Sequence, residues 1–154
     1  MQIAKKPLVA ITIGEVAGIG PEIVVKAIND GGIFNFCNPL IIGDYWILKK
    51  VSDDLKIHAK INLVQSVENV EWTAGVANMI DMNLVPRESF QIGKPNGVTG
   101  KAMIEYTTLA VKLAIEKKVH GSVGGPHSKK AADEAGIVAH PVPRTQGCCS
   151  RGLL

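Results

Sequence analysis

Apolar and polar positions divide the chain into short, wholly apolar runs and longer stretches with a helical period. "PLVAITI" (7–13) is apolar and β-branched throughout, as a strand buried on both faces requires. Gly14, Gly18, Gly20 and Pro21 follow, and then "PEIVVKAIND". Pro21 stands at a first-helical position, Glu22 in the first turn and "DGG" at the stop. A helix is therefore predicted over 21–30, with Ile23, Val24, Ala27 and Ile28 on one face. "NPLIIGD" (38–44) reads as a second apolar strand and "YWILKKV" as a short helix. "INLV" (61–64) and "NMIDMNLV" (78–85) read as further strands, while 65–77 carry no decisive period. "GKPNGVTG" (93–100) reads as a loop before the clearest helix, which runs from Gly100. Ala102, Met103, Tyr106, Leu109, Ala110 and Leu113 form its apolar stripe, and Lys117-Lys118 suit its C-terminal end. "HGSVGGP" then gives a strand end and turn, and "SKKAADEAG" a short helix stopped by Gly136.

Strands alternating with helices predict an α/β fold with a mixed, mainly parallel sheet flanked by helices. Ligands of such sheets collect at the carboxyl ends of strands. Those ends are Gly14-Glu15, Gly43-Asp44 and Gly124-Gly125-Pro126-His127.

Composition narrows the classes. A chain of 154 residues with 46% apolar and 20% charged residues has an ordinary soluble composition, and is one domain or a large piece of a bigger one. The net charge of +3 is scattered over separate lysine pairs without interleaved aromatics, which argues against a nucleic-acid partner. No apolar run approaches the ~20 residues of a membrane span, and no signal-peptide core stands at the N-terminus. Three cysteines (Cys37, Cys148, Cys149) fit neither a disulfide framework nor a C-x-x-C metal site. A cytoplasmic protein is the expectation.

The glycine turn raises the first question of chemistry. A dinucleotide fingerprint needs G-x-G-x-x-G, but here Ile23 stands where the third glycine belongs. Pro21 removes an N–H from the helix start, and Glu22 places negative charge where a phosphate would sit. No Gly-Lys-Ser/Thr follows, so a Walker loop is excluded. Two readings stay open: a tight strand-to-helix turn whose glycines permit close backbone approach, or one wall of a cofactor cleft.

"ITIGEVAGIGPEIVVKAI" resembles the T-x-G-D-P-A-G-I-G-P-E opening of the 4-hydroxythreonine-4-phosphate dehydrogenase family. "NPLIIGDYWIL", "IDMNLVP", "GKPNGVTGKAMIEYTTLAVKLA" and "GGPHSKKAADEAGI" agree in the same order, so the resemblance covers about residues 7–137. It implies an isocitrate/isopropylmalate-dehydrogenase-like fold, here incomplete. It also implies NAD- or NADP-dependent oxidation of a phosphorylated hydroxy acid, with decarboxylation. A divalent metal (Zn, Mg or Mn) stabilises the developing enolate in such chemistry. "PLIIGD" with "IDMNLVP" resembles the branch acting on 4-phospho-D-threonate more than the enzyme of pyridoxal phosphate biosynthesis, which uses 4-phosphohydroxy-L-threonine. A homodimer is the expected assembly, with a small phosphorylated molecule as the ligand.

On this resemblance Gly14, Glu15, Gly18 and Gly20 are expected to line the cofactor cleft. Glu15 and Val16 stand where the family has aspartate and proline. Ser128-Lys129 stand at the family's Asn-Lys or His-Lys pair. Lys129 is a candidate contact for substrate phosphate, or a solvated lysine in a first helical turn, and His127 is a candidate ligand contact. His58 and His120 read as surface residues, with no spacing that makes a metal site. Asp44 reads as a helix N-cap, with a cofactor ribose as the other role, and Asp81 is ambiguous in mid-strand. After Ile137 the family's Gly-His-Thr-Glu is missing. "VAHPVPRTQGCCSRGLL" places His140 two positions out of register, and shows neither strand nor helix period. Residues 1–137 are thus expected to be the N-terminal part of such a dehydrogenase, and 138–154 a frameshifted or unstructured tail. The metal-binding histidines are expected in the half not present here. A sheet of these strands would expose an edge and bare helix faces. The alternative function is an inactive fragment that serves at most as a binding or dimerisation module.

Overall fold

A computed structural model describes residues 6–70 and 72–137. The strands are β1 (Leu8–Thr12), β2 (Asn38–Gly43), β3 (Ile61–Val64), β4 (Ala77–Asp81) and β5 (Gly121–Val123). The helices are α1 (Gly20–Asp30), α2 (Tyr45–Asp54), α3 (Gly97–Ile115) and α4 (Lys129–Glu134). The sheet order is β3-β4-β2-β1-β5, and every described pair is parallel. The expected boundary after 137, the tail 138–154 and with it His140, Cys148 and Cys149 lie outside the described residues.

The apolar runs find their cause in this order. β2 is central, and Pro39 through Gly43 are all buried, which requires cover on both faces. α1 and α2 pack side by side, while α3 crosses β1 and β2 and carries α4 against it. Leu40, Ile41, Ile42, Ile47, Leu48, Val25 and Tyr106 make the centre of the core.

Three sequence expectations shift. First, α1 begins at Gly20, so its inner face is Pro21, Val24, Val25 and Ile28, and Ile23 turns out to solvent at 47% exposure. Second, α3 begins at Gly97 rather than Gly100. Asn96 Oδ1 accepts from the N–H groups of Val98 and Thr99 at 2.9 and 3.1 Å, and Thr99 Oγ1 accepts from Asn96 N–H at 3.0 Å. This reciprocal cap starts a helix inside a Gly/Pro/Asn-rich segment, where composition alone reads as loop. Asn96→Ala is expected to cost about 1 kcal/mol in urea melts, since two N–H groups lose their acceptor. Third, β4 stops at Asp81. Asn83 adopts the left-handed region at φ 46°, and the chain turns off the sheet with Leu84 and Val85 bound elsewhere.

Among the described strands β5 pairs only with β1 and β3 only with β4, so both edges are open. On β5 Val123 is 54% exposed.

Candidate functional site

The turns after β1 and β5 are sewn together at the carboxyl end of the sheet. Gly14, at φ 70°, lies so close to the next turn that a Cβ there would sit 2.4 Å from the Pro126 carbonyl oxygen. Glu15 N–H donates to that oxygen at 2.8 Å, and Gly125 N–H donates to the Thr12 carbonyl at 3.1 Å. The Thr12 hydroxyl accepts from the same Gly125 N–H. A Cβ on Gly20 would lie 2.0 Å from the Ile13 carbonyl oxygen. These contacts account for both glycines by close backbone approach.

Glu15 is 4% exposed, and its carboxylate folds back into the turn. Oε1 accepts from Ala17 N–H at 3.0 Å, and Gly18 N–H donates to the Glu15 carbonyl at 3.1 Å. The N–H groups of 17 and 18 are thus used inside the turn and that of 15 on the Pro126 carbonyl, and Glu22 adds its charge at the helix start, beside Lys26. The described residues do not fit a pyrophosphate cradle at this turn. A third segment closes over it, as Gly93 N–H donates to the Ala17 carbonyl at 2.7 Å. Arg87 stacks 4.9 Å above the Trp46 ring, and Trp46 Nε1–H donates to the Val85 carbonyl at 3.1 Å, which fastens that segment to α2.

His127 follows the Pro126 turn and is exposed. Its Nε2 lies 3.1 Å from Thr107 Oγ1 on α3, while that hydroxyl donates to the Met103 carbonyl at 3.0 Å. A hydroxyl has one proton, so while it serves the Met103 carbonyl, the arrangement that completes both contacts has Nε2–H donating to Thr107 and Nδ1 facing away from it. Thr107→Val is expected to release that preference, and imidazole nitrogen chemical shifts would move from the Nε2–H tautomer toward the average. An unchanged spectrum would mean the contact does not orient the ring. Lys129 is exposed in the first turn of α4 and makes no ion pair with a described residue; Ser128 Oγ caps the helix by accepting from Ala131 N–H at 3.2 Å. The structure thus brings Gly14, Glu15 and the Pro126-His127 turn together. Gly20 is packed behind them, and Lys129 stands outward.

The N-cap role expected of Asp44 falls instead to Asp81, which the sequence left ambiguous. Asp44 occupies the N-cap position of α2 but makes no side-chain cap. It is fully buried, and its two oxygens accept from Leu84 and Val85 N–H at 2.9 and 2.7 Å. Asp81, at the end of β4, reaches across to accept from Tyr45 N–H, the first of α2, at 3.0 Å. His120 is a surface residue with a structural duty: its Nδ1 accepts from Leu8 N–H at 3.0 Å at the start of β1. His58 is exposed.

Sequence reasoning missed Thr107 and Tyr106, because both sit on a helix whose stripe or flank reads as packing. Among the described residues the buried Tyr106 hydroxyl and Glu15 Oε2 have no partner at good hydrogen-bond geometry. Burial first, and then the nearby carboxylates of Asp44, Asp81 and Glu15, push the Tyr106 phenol far above its ordinary range, so it stays protonated. The phenol lies against the Asp44 carboxylate without a hydrogen bond of good geometry, so Tyr106→Phe is expected to change stability by less than about 1 kcal/mol in denaturant melts; a larger loss would mean that the hydroxyl is firmly bonded to Asp44 in solution. Among the described residues no three His, Cys, Asp or Glu side chains form a group able to hold a metal ion, and so they do not fit a divalent metal. No described helix is long and apolar enough to cross a membrane.

Fold and site define an α/β class whose candidate ligand region lies where the turns after neighbouring parallel strands meet. The sequence profile of the family described as "Pyridoxal phosphate biosynthetic protein PdxA" matches residues 35–142, and the chain belongs to this family. A Clostridium botulinum (strain Hall) protein, whose name proposes a D-threonate 4-phosphate dehydrogenase, is 33% identical over 135 residues, 88% of this chain and 40% of that one. The 4-hydroxythreonine-4-phosphate dehydrogenase of Desulforapulum autotrophicum is 30% identical over 135 residues, with the same shares of 88% and 40%. The crystal structure of a 4-hydroxythreonine-4-phosphate dehydrogenase from Burkholderia phymatum superposes with a TM-score of 0.80 at 28% identity, covering 86% of this chain and 40% of that one. The chain spans about 40% of the length of the relatives it matches.

Proposed function

We propose that residues 1–137 are the N-terminal part of a cytoplasmic, homodimeric dehydrogenase. It uses NAD or NADP and a divalent metal to oxidise and decarboxylate a phosphorylated hydroxy acid such as 4-phospho-D-threonate or 4-phosphohydroxy-L-threonine. The observation that carries this reading is the junction of the Gly14-Glu15 and Pro126-His127 turns at the carboxyl ends of β1 and β5, in a chain of this family. In this reading the Gly14–Gly20 turn is a rigid wall of the cleft. His127 hydrogen-bonds the ligand through Nδ1, and Lys129 meets its phosphate as a point charge. The metal belongs to residues other than those described.

The test is formation of NADH or NADPH by the full chain with either phosphorylated acid and Mg²⁺, Mn²⁺ or Zn²⁺. Turnover above blank supports a dehydrogenase, and no rate with any pairing overturns it for this chain. A second reading is supported by the described residues, which fit neither a divalent metal nor a pyrophosphate cradle: a module that binds ligand or a second copy without turnover. Titration calorimetry with 4-phospho-D-threonate separates the two. Binding without turnover, weakened about tenfold by Lys129→Ala, is the outcome expected of the module.

A further inference from the structure

We propose that the Asp44 carboxylate serves two rival sets of donors, so that residues 84–92 form a strap that can lift while the Tyr106 hydroxyl takes over the oxygens it vacates. In the closed arrangement the two Asp44 oxygens accept from Leu84 and Val85 N–H. The Tyr106 hydroxyl lies against the same carboxylate. It is fully buried, and among the described residues it has no partner at good hydrogen-bond geometry. An orphaned donor is costly in a dry interior, and a carboxylate is the strongest acceptor it can meet. Each oxygen is already engaged by the strap, and the phenol is left out. Once Leu84 and Val85 withdraw, a small turn of the phenol satisfies the hydroxyl and the buried charge together. Lifting the strap therefore never leaves Asp44 bare, the step that would otherwise forbid it.

The backbone supplies a hinge at each end. Asn83 and Gly93 hold left-handed φ values of 46° and 79°, where a change of one torsion redirects the chain. Outside the hinges the chain is fixed. Met82 N–H donates to the Gly43 carbonyl at 2.9 Å, Asn83 N–H to Asp81 Oδ1 at 3.2 Å, and Gly93 N–H to the Ala17 carbonyl at 2.7 Å. Between them the strap is fastened by Asp44, by the Trp46 indole on the Val85 carbonyl, by Arg87 and Phe90 against the Trp46 ring, and by the Asn96 amide on the Ser89 carbonyl. Val85 is buried, so the closed arrangement prevails and the open one is minor. The far end of the strap rests on the glycine turn, so opening loosens the wall of the proposed cleft. The exchange of donors stands whether or not that reading of the cleft holds.

Amide hydrogen exchange on the full 154-residue chain reads this directly, with Ile41 in the central strand β2 as the reporter of global opening. In the unaltered chain Leu84 and Val85 are expected to exchange by local opening, at rates that low urea leaves nearly unchanged, while exchange at Ile41 rises with urea. If both follow Ile41, no separate opening exists and the proposal falls. Tyr106→Phe then acts with the opposite sign to an ordinary core deletion. It removes a bond made only in the open arrangement, so exchange at Leu84 and Val85 is expected to slow about tenfold or more at an unchanged urea midpoint. Exchange that is unchanged or faster in this variant overturns the proposal. A variant that loses its midpoint places the hydroxyl's bond in the closed arrangement, and overturns it as well.

Discussion

Gly20→Ala is expected to destabilise the chain by about 4 kcal/mol or more, enough to leave a domain of ordinary stability largely unfolded. The added Cβ would stand 2.0 Å from the Ile13 carbonyl oxygen and 3.2 Å from its carbon. Both belong to backbone at the end of β1, where Ile13 N–H is held by the Ile42 carbonyl at 3.1 Å, so neither can retreat. Helix α1 would have to lift off the sheet, taking Val24, Val25 and Ile28 out of the core. Gly31→Ala is the control. That glycine has a left-handed φ of 78° but nothing within 4 Å of a Cβ, so only backbone strain of about 1 kcal/mol is expected. Equal midpoints for the two variants in urea would mean that α1 meets β1 more loosely than the contact distances say.

Asp44→Ala is expected to cost about 3 kcal/mol, the second largest effect. The carboxylate is fully buried and holds two backbone N–H groups, one of them on Val85, itself 2% exposed. Removing it leaves that N–H without an acceptor and away from water, which is far worse than the loss of an exposed bond. Asp44→Asn keeps one acceptor oxygen and is expected to lose about half as much. Amide exchange at Val85 gives the local readout: fast in the alanine variant, intermediate in the asparagine variant. Protection that survives in Asp44→Ala would show that the 84–85 segment is held by the Trp46 indole bond instead.

These residues also mark where the sequence could be read and where it could not. β1, β2 and β3 were legible because each is a short apolar run bounded by turn residues. The glycine turn was legible as chemistry, since Ile23, Pro21 and Glu22 each remove something that a phosphate cradle needs. The start of α3 was hidden, because Asn96 and Thr99 act only as a pair and their neighbours are glycine and proline. That Asp81 rather than Asp44 serves the start of α2 was hidden for another reason. Both stand at strand ends, and which acidic group caps which helix depends on β2 and β4 being neighbours, with Gly43 opposite Asp81. The link from Thr107 to His127 spans twenty residues and two elements, and no local pattern announces it.

The junction of the β1 and β5 turns carries a consequence for the order in which the chain takes shape. β1 and β2 lie close in sequence and can pair early, but the outer side of β1 waits for a strand whose contacts lie more than a hundred residues away, as the 113-residue span from Thr12 to Gly125 shows. Chains emerge from the ribosome with their first strands made first, and distant pairings form last. The Gly14–Pro126 junction is therefore the final seam of the sheet to close. Until it does, a nascent chain offers the bare flank of β1, a strand apolar from Leu8 to Ile11, as a template for a neighbouring chain.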